Sequence, residues 1–369
     1  MSKADSEQQL SQIRQQIDQI DAEIQRLINA RASCAQQVAE VKMNAKKETT
    51  VFYRPEREAQ VLREIMARNT GPVADEEMAR IFREVMSVCL AMEQPLRIAF
   101  LGPEGTFTQA AALKHFGHSV VSAPLAAIDD VFREVESGTA NYGVVPVENS
   151  TEGMVNSTLD SFMKSSLKIC GEVELRIHHH LLVKRDLTIG NIKRIYSHEQ
   201  SLAQCRKWLN THMPNAERIS VGSNAEAARL VADSDESELT AAIAGDMAAE
   251  TYHLNKLVMN IEDEPDNATR FLIVGQQSVA ASGSDKTSVI IAMRNKPGAL
   301  YLVLKPFQEA GIMLTRVETR PSRTGTWTYV FFVDFEGHYQ DPKIKTVLDK
   351  IADEAAELKL LGSYPIAVL

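Results

Sequence analysis

Three fold classes succeed one another along this chain: an all-α helical domain over 1–94, an α/β domain over 95–277 and an α+β domain of order βαββαβ over 287–369. Three observations predict them. The first 70 residues hold no glycine and repeat apolar residues at helical steps. From Pro95 onward short apolar runs alternate with helical stretches, the texture of an α/β domain. The last stretch reads strand, helix, two strands, helix, strand, which is the split-βαβ order.

In the helical segment, Leu10, Ile13, Ile17, Ile20, Ile24 and Leu27 alternate steps of three and four, the seam of a coiled-coil-like helix. Nothing breaks this helix between about 6 and 47, which makes it ~60 Å long at ~1.5 Å per residue. Such a seam is longer than its own successors can cover and calls for a second chain. Two shorter helices follow, 55–68, with Pro55 in its first turn, and 75–93, separated by Asn69-Thr70-Gly71-Pro72. At 100° per residue, Arg31 and Lys42 lie about 20° apart on one face, with Ala35 and Val38 between them. Arg14 is about 260° from Arg31 and points elsewhere, so a site using all three takes Arg14 from the partner chain. On spacing alone, solvated charges on a dimerising helix are the better account of these cations.

The α/β segment is expected to carry mostly parallel strands, within LRIAFLG, NYGVVPVENS, LKICGEVELRIHHHLLV, IKRIYSHE, ERISVG, AAIAG and RFLIVG. Three polar loops sit at strand ends, where α/β sheets hold ligands. LGPEGTFTQAAA sets two glycines before a helix start that offers N–H groups to an anion. VVPVENSTEG supplies Glu148, Asn149, Ser150 and Thr151, and DNATRFLIVG supplies Thr269 and Arg270. Of His178-His179-His180 at most the first and third converge in a strand, and no third metal ligand is spaced nearby. Glu262-Asp263-Glu264 lacks a calcium-loop ladder and reads as surface, as does the acidic run 233–238. The small-residue stretch 278–286 reads as a linker. In the last domain, strands over 287–294, 312–320 and 327–335 and helices over 298–310 and 341–357 precede a final strand, with a turn over 321–325.

Composition excludes several function classes. Forty Lys+Arg against 49 Asp+Glu give a net charge of −9, the wrong sign for a nucleic-acid surface. An anionic substrate is therefore expected to meet a few locally placed cations. Four cysteines without a CxxC pair exclude a disulfide framework and argue against a zinc cluster. The start MSKADSEQQL has no apolar core of a signal peptide, and no 18-residue apolar run exists to span a bilayer. A reduced cytoplasmic protein, with neither membrane nor nucleic-acid partner, is the expectation.

The motifs GPEGTFTQAA, GVVPVENSTEG, YSHEQ and TRF, followed by GAL (Gly298, Ala299, Leu300) and ETRP (318–321), carry a resemblance over essentially the full length. The chain resembles the bifunctional chorismate mutase–prephenate dehydratases, the P-proteins of phenylalanine biosynthesis. The resemblance implies an intertwined helical mutase whose motif cations fall on Arg14, Arg31, Lys42 and Arg57, a two-lobed dehydratase, and an ACT domain. It also implies a homodimer with shared mutase sites. Relatives carry a carboxylate where Arg54 stands, so recognition of the chorismate 4-hydroxyl falls to Glu58. A serine of relatives is Cys89, and a glutamine is Glu93.

The implied chemistry needs no cofactor or metal. Chorismate rearranges to prephenate within one molecule, so the catalyst holds the compact diaxial conformer and stabilises charge growing on the ether oxygen. Arg14 of the partner and Arg31 would hold the two carboxylates, and Lys42 and a protonated Glu93 would donate to that oxygen. In the dehydratase, Thr269 would donate to the departing hydroxyl, with Thr106, Asn149, Ser150, His198, Arg270 and Phe271 around the substrate. L-Phenylalanine is expected at Gly298, Ala299, Leu300, Glu318 and Arg320. Two other readings share the fold: a dehydratase with a helical dimerisation arm, and a non-catalytic amino-acid sensor.

Overall fold

A computed structural model describes residues 3–44, 53–235, 238–293, 297–321 and 329–369. The helical domain comprises α1 (Lys3–Asn44), α2 (Pro55–Arg68) and α3 (Asp75–Glu93). The expected end of the first helix, at 45–47, lies outside the described residues. Only the last third of α1, where Ala32 and Ala39 are buried, packs on α3. Residues 5–30 are exposed throughout, and the six seam residues are each 45–58% exposed. About 40 Å of helix therefore projects with its apolar stripe uncovered. Leu62, Ile65, Ala79 and Met86 form a small core between α2 and α3, and Val368 and Leu369 from the far end of the chain pack against it.

The α/β domain has two lobes. Lobe one holds β1 (Arg97–Leu101), α4 (Phe107–Phe116), β2 (Val121–Leu125), α5 (Ile128–Glu136), β3 (Tyr142–Asn149), β4 (Gly153–Met154), α6 (Asn156–Lys164) and β5 (Lys168–Arg176). The chain then crosses to lobe two: β6 (His180–Val183), β7 (Arg194–His198), α7 (Glu199–Gln204), α8 (Arg206–His212), β8 (Glu217–Val221), α9 (Asn224–Asp233), β9 (Thr240–Ala244), α10 (Asp246–Thr251) and β10 (Asn255–Val258). It returns to lobe one as β11 (Ala268–Gly275). The sheet orders are β2-β1-β3-β11-β5, with β4 on β3, and β10-β6-β9-β7-β8.

The sheets are mixed rather than mostly parallel. β1 runs parallel to β2 and β3, and β7 to β8 and β9. β11 is antiparallel to β3 and β5, and β6 to β9 and β10. The reversal has a simple cause: β11 re-enters lobe one from the side facing lobe two, so its first residues lie beside the last residues of β3, Thr269 opposite Asn149. The two crossings, 177–179 and 259–267, pair with each other through Ile177 N–H to Asn267 O and Ile261 N–H to His179 O, both 2.8 Å.

The segment expected to be a free linker is a packed joint. Ser282 and Asp285 are buried, the Asp285 carboxylate accepts from the Ser282 and Gly283 N–H groups, and Arg63 of α2 donates to Ser282 O and Ser284 O. The last domain follows the βαββαβ order: β12 (Asp285–Met293), α11 (Ala299–Glu309), β13 (Leu314–Pro321), β14 (Tyr329–Glu336), α12 (Pro342–Glu354) and β15 (Ala355–Pro365), in sheet order β13-β14-β12-β15. The expected turn at 321–325 and the start of its following strand fall mostly outside the described residues. This sheet shares a core with lobe one, where Ile290, Phe332, Leu361 and Tyr364 cluster with Phe162, Ile169 and Leu272.

Candidate functional site

The three polar loops singled out in the sequence meet in one cleft between the lobes. Its volume, ≈ 630 Å³, fits a small molecule. Lobe one contributes Gly105, Thr106, Phe107, Asn149, Thr269 and Phe271; lobe two contributes His198, Gln200, Ser201, Gln204, Ser223, Asn224 and Gly245; the first crossing contributes Ile177 and His179. The lobes also touch at Gly105, whose backbone is left-handed (φ +85°) and whose missing Cβ would stand 3.2 Å from Ala248 Cα. None of the described residues lining the cleft is Lys or Arg. The expectation of local cations is not met here. Positive potential comes instead from the starts of α4 and α9, capped by Thr106 and Ser223, which open onto the cleft.

Thr269 is 9% exposed, and its surroundings fix which way its hydroxyl faces. Asn149 Oδ1 accepts from the Thr151 and Glu152 N–H groups, so its amide nitrogen must face the other way. That Nδ2 donates to Thr269 Oγ1 at 2.8 Å and to Asn267 Oδ1 at 3.0 Å. A hydroxyl that accepts from an amide keeps its own proton available to donate. Phe271, two residues along β11, is buried on the same side as Thr269. His198 lines the cleft, and its Nδ1 accepts from the Gln200 N–H, which leaves the ring proton on Nε2. Thr106 lines it too, with its hydroxyl committed to the α4 cap and to Leu101 O.

Two expected substrate ligands lie elsewhere. Arg270 projects from the opposite face of β11, as strand alternation requires. Its guanidinium donates to Glu172 (2.8 Å), Asp334 (2.7 Å) and the Tyr364 hydroxyl (2.9 Å), and Lys286 shares Glu172. It joins lobe one to the last domain. Ser150 is exposed and outside the cleft lining, and its backbone N–H and hydroxyl pair with Ala268.

The histidine run and the acidic run serve the crossings. His178 pairs with Glu262 at 2.8 Å, Glu262 also accepts the His179 N–H, and Asp263 accepts the Lys207 and Trp208 N–H groups at the start of α8. Glu262, expected at the surface, is buried by this pairing, with its side chain 4% exposed. His180 pairs with Asp246 at 3.1 Å. Sequence reading missed the roles of Gln204, His179 and Asn267: the last two sit in the histidine run and the DNATRF stretch, but the three meet only once the lobes are folded together.

A second constellation lies where α1, α2 and α3 meet. Arg31 and Lys42 are half-buried on α1 and near enough to Glu93 to oppose the effect of burial, which pushes that carboxyl above its ordinary pKa. Burial likewise raises Glu58, countered first by Arg83 and then by Arg31. Arg83 holds Glu58 at 2.8 Å and also donates to the backbone carbonyl of His115, in the α/β domain. Tyr53, just before α2, is buried in the lobe-one core and bonds His115 Nε2 at 2.9 Å. Cys89 is buried, Arg57 is exposed, and exposed Arg54 pairs with Glu56 at 2.7 Å. Arg14 is exposed about 25 Å up α1 from Arg31, out of reach of this cluster within one chain.

In the last domain Gly298 is left-handed (φ 80°, ψ 8°) at the start of α11, and Leu300 is exposed. Glu318 lies on edge strand β13, whose side chains alternate between half-buried and exposed. Arg320, on the same strand, reaches α6 to bond Asp160 at 2.6 Å and also Asn156. It is a contact between domains.

Family models match three spans: prephenate dehydratase at 98–279, chorismate mutase type II at 13–94 and ACT domain at 287–353. The chain is 64% identical over 371 residues to the bifunctional chorismate mutase/prephenate dehydratase of Stutzerimonas stutzeri, covering 100% of both. It is 63% identical to the enzyme of that name from Pseudomonas aeruginosa, covering 98% of this chain and 99% of the relative. The solved prephenate dehydratase of Arthrobacter aurescens in complex with L-Phe is similar at 33% identity and TM-score 0.68, covering 73% of this chain and 90% of that one.

Proposed function

The chain belongs to the bifunctional chorismate mutase/prephenate dehydratase family, and from that membership we propose how its residues divide the two reactions. The enzyme rearranges chorismate to prephenate and converts prephenate to phenylpyruvate with loss of water and CO2. The dehydration belongs to the interlobe cleft. The observation that carries this is the Thr269 hydroxyl, held as an acceptor by Asn149 with its proton left to donate. Aromatisation drives the reaction, so a positioned donor for the departing ring hydroxyl and binding of two carboxylates suffice. The carboxylates meet the helix starts at Thr106 and Ser223 and the ring N–H of His198. A coupled assay tests the whole: chorismate is consumed and phenylpyruvate accumulates in one purified chain.

The rearrangement belongs to the cluster of Arg31, Lys42, Glu58 and Glu93, completed by Arg14 of a second copy. The uncovered α1 seam supports a homodimer. Lys42 donates to the ether oxygen, and Glu93 does so while protonated. Because burial raises the Glu93 pKa against the opposing pull of Lys42 and Arg31, the donating form lasts to higher pH than in an exposed carboxyl and is lost as pH rises through that raised value. Mutase kcat therefore falls as pH rises through that value, and Glu93→Gln, a permanent donor, abolishes the fall without changing the dehydratase profile. Superimposable mutase profiles in the two forms would remove Glu93 from the ether oxygen.

L-Phenylalanine inhibits through the ACT domain, at the turn of Gly298, Ala299 and Leu300 with Glu318. A truncated chain is a poor test, because it strips Asp334 and Tyr364 from Arg270. Gly298→Ala is cleaner. Its Cβ meets nothing within 4 Å, but the left-handed turn becomes costlier by about 1–2 kcal/mol. The half-inhibitory phenylalanine concentration rises about 5–30-fold at unchanged uninhibited kcat; unchanged inhibition would move the effector site elsewhere. The same reading keeps the enzyme in the cytoplasm, where its four cysteines, all unpaired, stay reduced.

A further inference from the structure

We propose that Asn267, on the return crossing between the lobes, is a positioning residue for the dehydratase reaction: it locks the Asn149 amide that orients Thr269 and ties that lock to lobe two. The inference rests on the reading of Thr269 as the donor.

Asn267 is 2% exposed and hydrogen-bonded at both ends of its amide. Its Oδ1 accepts from Asn149 Nδ2 at 3.0 Å, and its Nδ2 donates to Gln204 Oε1, on α7 of lobe two, at 3.1 Å. The same Gln204 oxygen accepts from His179 Nε2 at 2.9 Å. His179 is 1% exposed, and burial holds its pKa below the ordinary value, which favours the neutral ring; facing the Gln204 oxygen, that ring carries its proton on Nε2. Every bond in this chain has a fixed polarity. The Thr151 and Glu152 N–H groups hold Asn149 Oδ1, which turns its nitrogen to Thr269 and to Asn267 Oδ1, and this sets the Asn267 nitrogen on Gln204 Oε1, where the His179 N–H converges with it.

Reversing any of these amides would set oxygen against oxygen or N–H against N–H in a buried place, at the cost of unmade hydrogen bonds. Without the Asn267 oxygen, the Asn149 nitrogen loses a buried acceptor and the amide is held by its backbone contacts alone, so turned conformers become accessible. Thr269 can then spend its proton on Asn149 Oδ1, and the leaving hydroxyl loses its donor. Because Gln204 and Asn149 belong to different lobes, Asn267 also makes donor orientation depend on the spacing of the lobes.

The test is a double-mutant cycle in the full chain, with mutase turnover of the same molecule as the control for folding. Asn267→Leu is expected to lower dehydratase kcat about 100-fold with KM within about threefold, the cost of misplacing one group from a distance. Asn267→Asp keeps an acceptor for Asn149 and is expected to recover at least about tenfold of that loss. In the Thr269→Ala background, Asn267→Leu is expected to add less than about threefold, because both act through one hydroxyl. The proposal is overturned if Asn267→Leu leaves kcat within about threefold, if its effect multiplies in full on Thr269→Ala, or if aspartate does no better than leucine. A Thr269→Ala chain with undiminished dehydration would overturn the underlying reading instead, and is visible in its own arm of the cycle.

Discussion

Replacing Thr269 with alanine lowers dehydratase kcat by about 10²–10³-fold, the usual cost of removing one preorganised donor. Chorismate turnover in the same molecule stays near its starting value. The size of the first effect follows from burial: Thr269 is 9% exposed, so no water takes over its place with the same orientation. The absence of the second follows from distance along the fold, because Arg31, Lys42 and Glu93 stand on helices that do not line the interlobe cleft. Serine at 269 keeps the hydroxyl and should keep most of the activity. Parallel loss of both activities in a folded alanine variant would contradict the two-site division.

Chains carrying Arg14→Ala or Arg31→Ala are each expected to be mutase-dead, and mixing them after subunit exchange is expected to restore about a quarter of wild-type turnover. Half of the dimers formed at random are mixed, and each mixed dimer holds one intact site of its two. The structural basis is the reach along α1. Arg14 stands on the projecting, exposed part of the helix, whereas Arg31 stands where the helix begins to pack on α3. Dehydratase turnover of the mixture reports that both chains are folded. Silence after exchange has been verified by mass would place both cations in one chain.

Much of this architecture was legible in the residues. An apolar stripe at steps of three and four, uninterrupted by glycine, can only be a long helix, and its exposure follows from having nothing long enough to cover it. The polar loops at strand ends were legible for a similar reason, since β-strands bury their middles and offer their ends. Arg270 shows where motif reading went astray. Thr269, Arg270 and Phe271 are consecutive on a strand, and a period of two already sends the middle residue to the other face. The expected local cations gather at Arg31 and Lys42 and not among the described residues lining the cleft, which faces two helix starts that composition does not register. Gln204 had no local signal, and the histidine run and the DNATRF stretch that hold His179 and Asn267 gave no hint of their pairing. The three residues come from three separate stretches, and their relation exists only once the two crossings lie side by side.

The contact of Val368 and Leu369 with the α2–α3 core sets an order of events during synthesis. Leu62, Ile65, Ala79 and Met86 leave the ribosome early, yet Val368 and Leu369, which pack against them, follow only after the whole of the α/β and last domains. At roughly 5–20 residues per second, tens of seconds separate the two. For that interval the nascent mutase helices present an unfinished apolar surface while the rest of the polypeptide is still being made. A ribosome-stalled chain ending shortly before residue 366 should therefore be bound by chaperones and cut by proteases in α2 and α3. A released chain that includes Val368 and Leu369 should resist both.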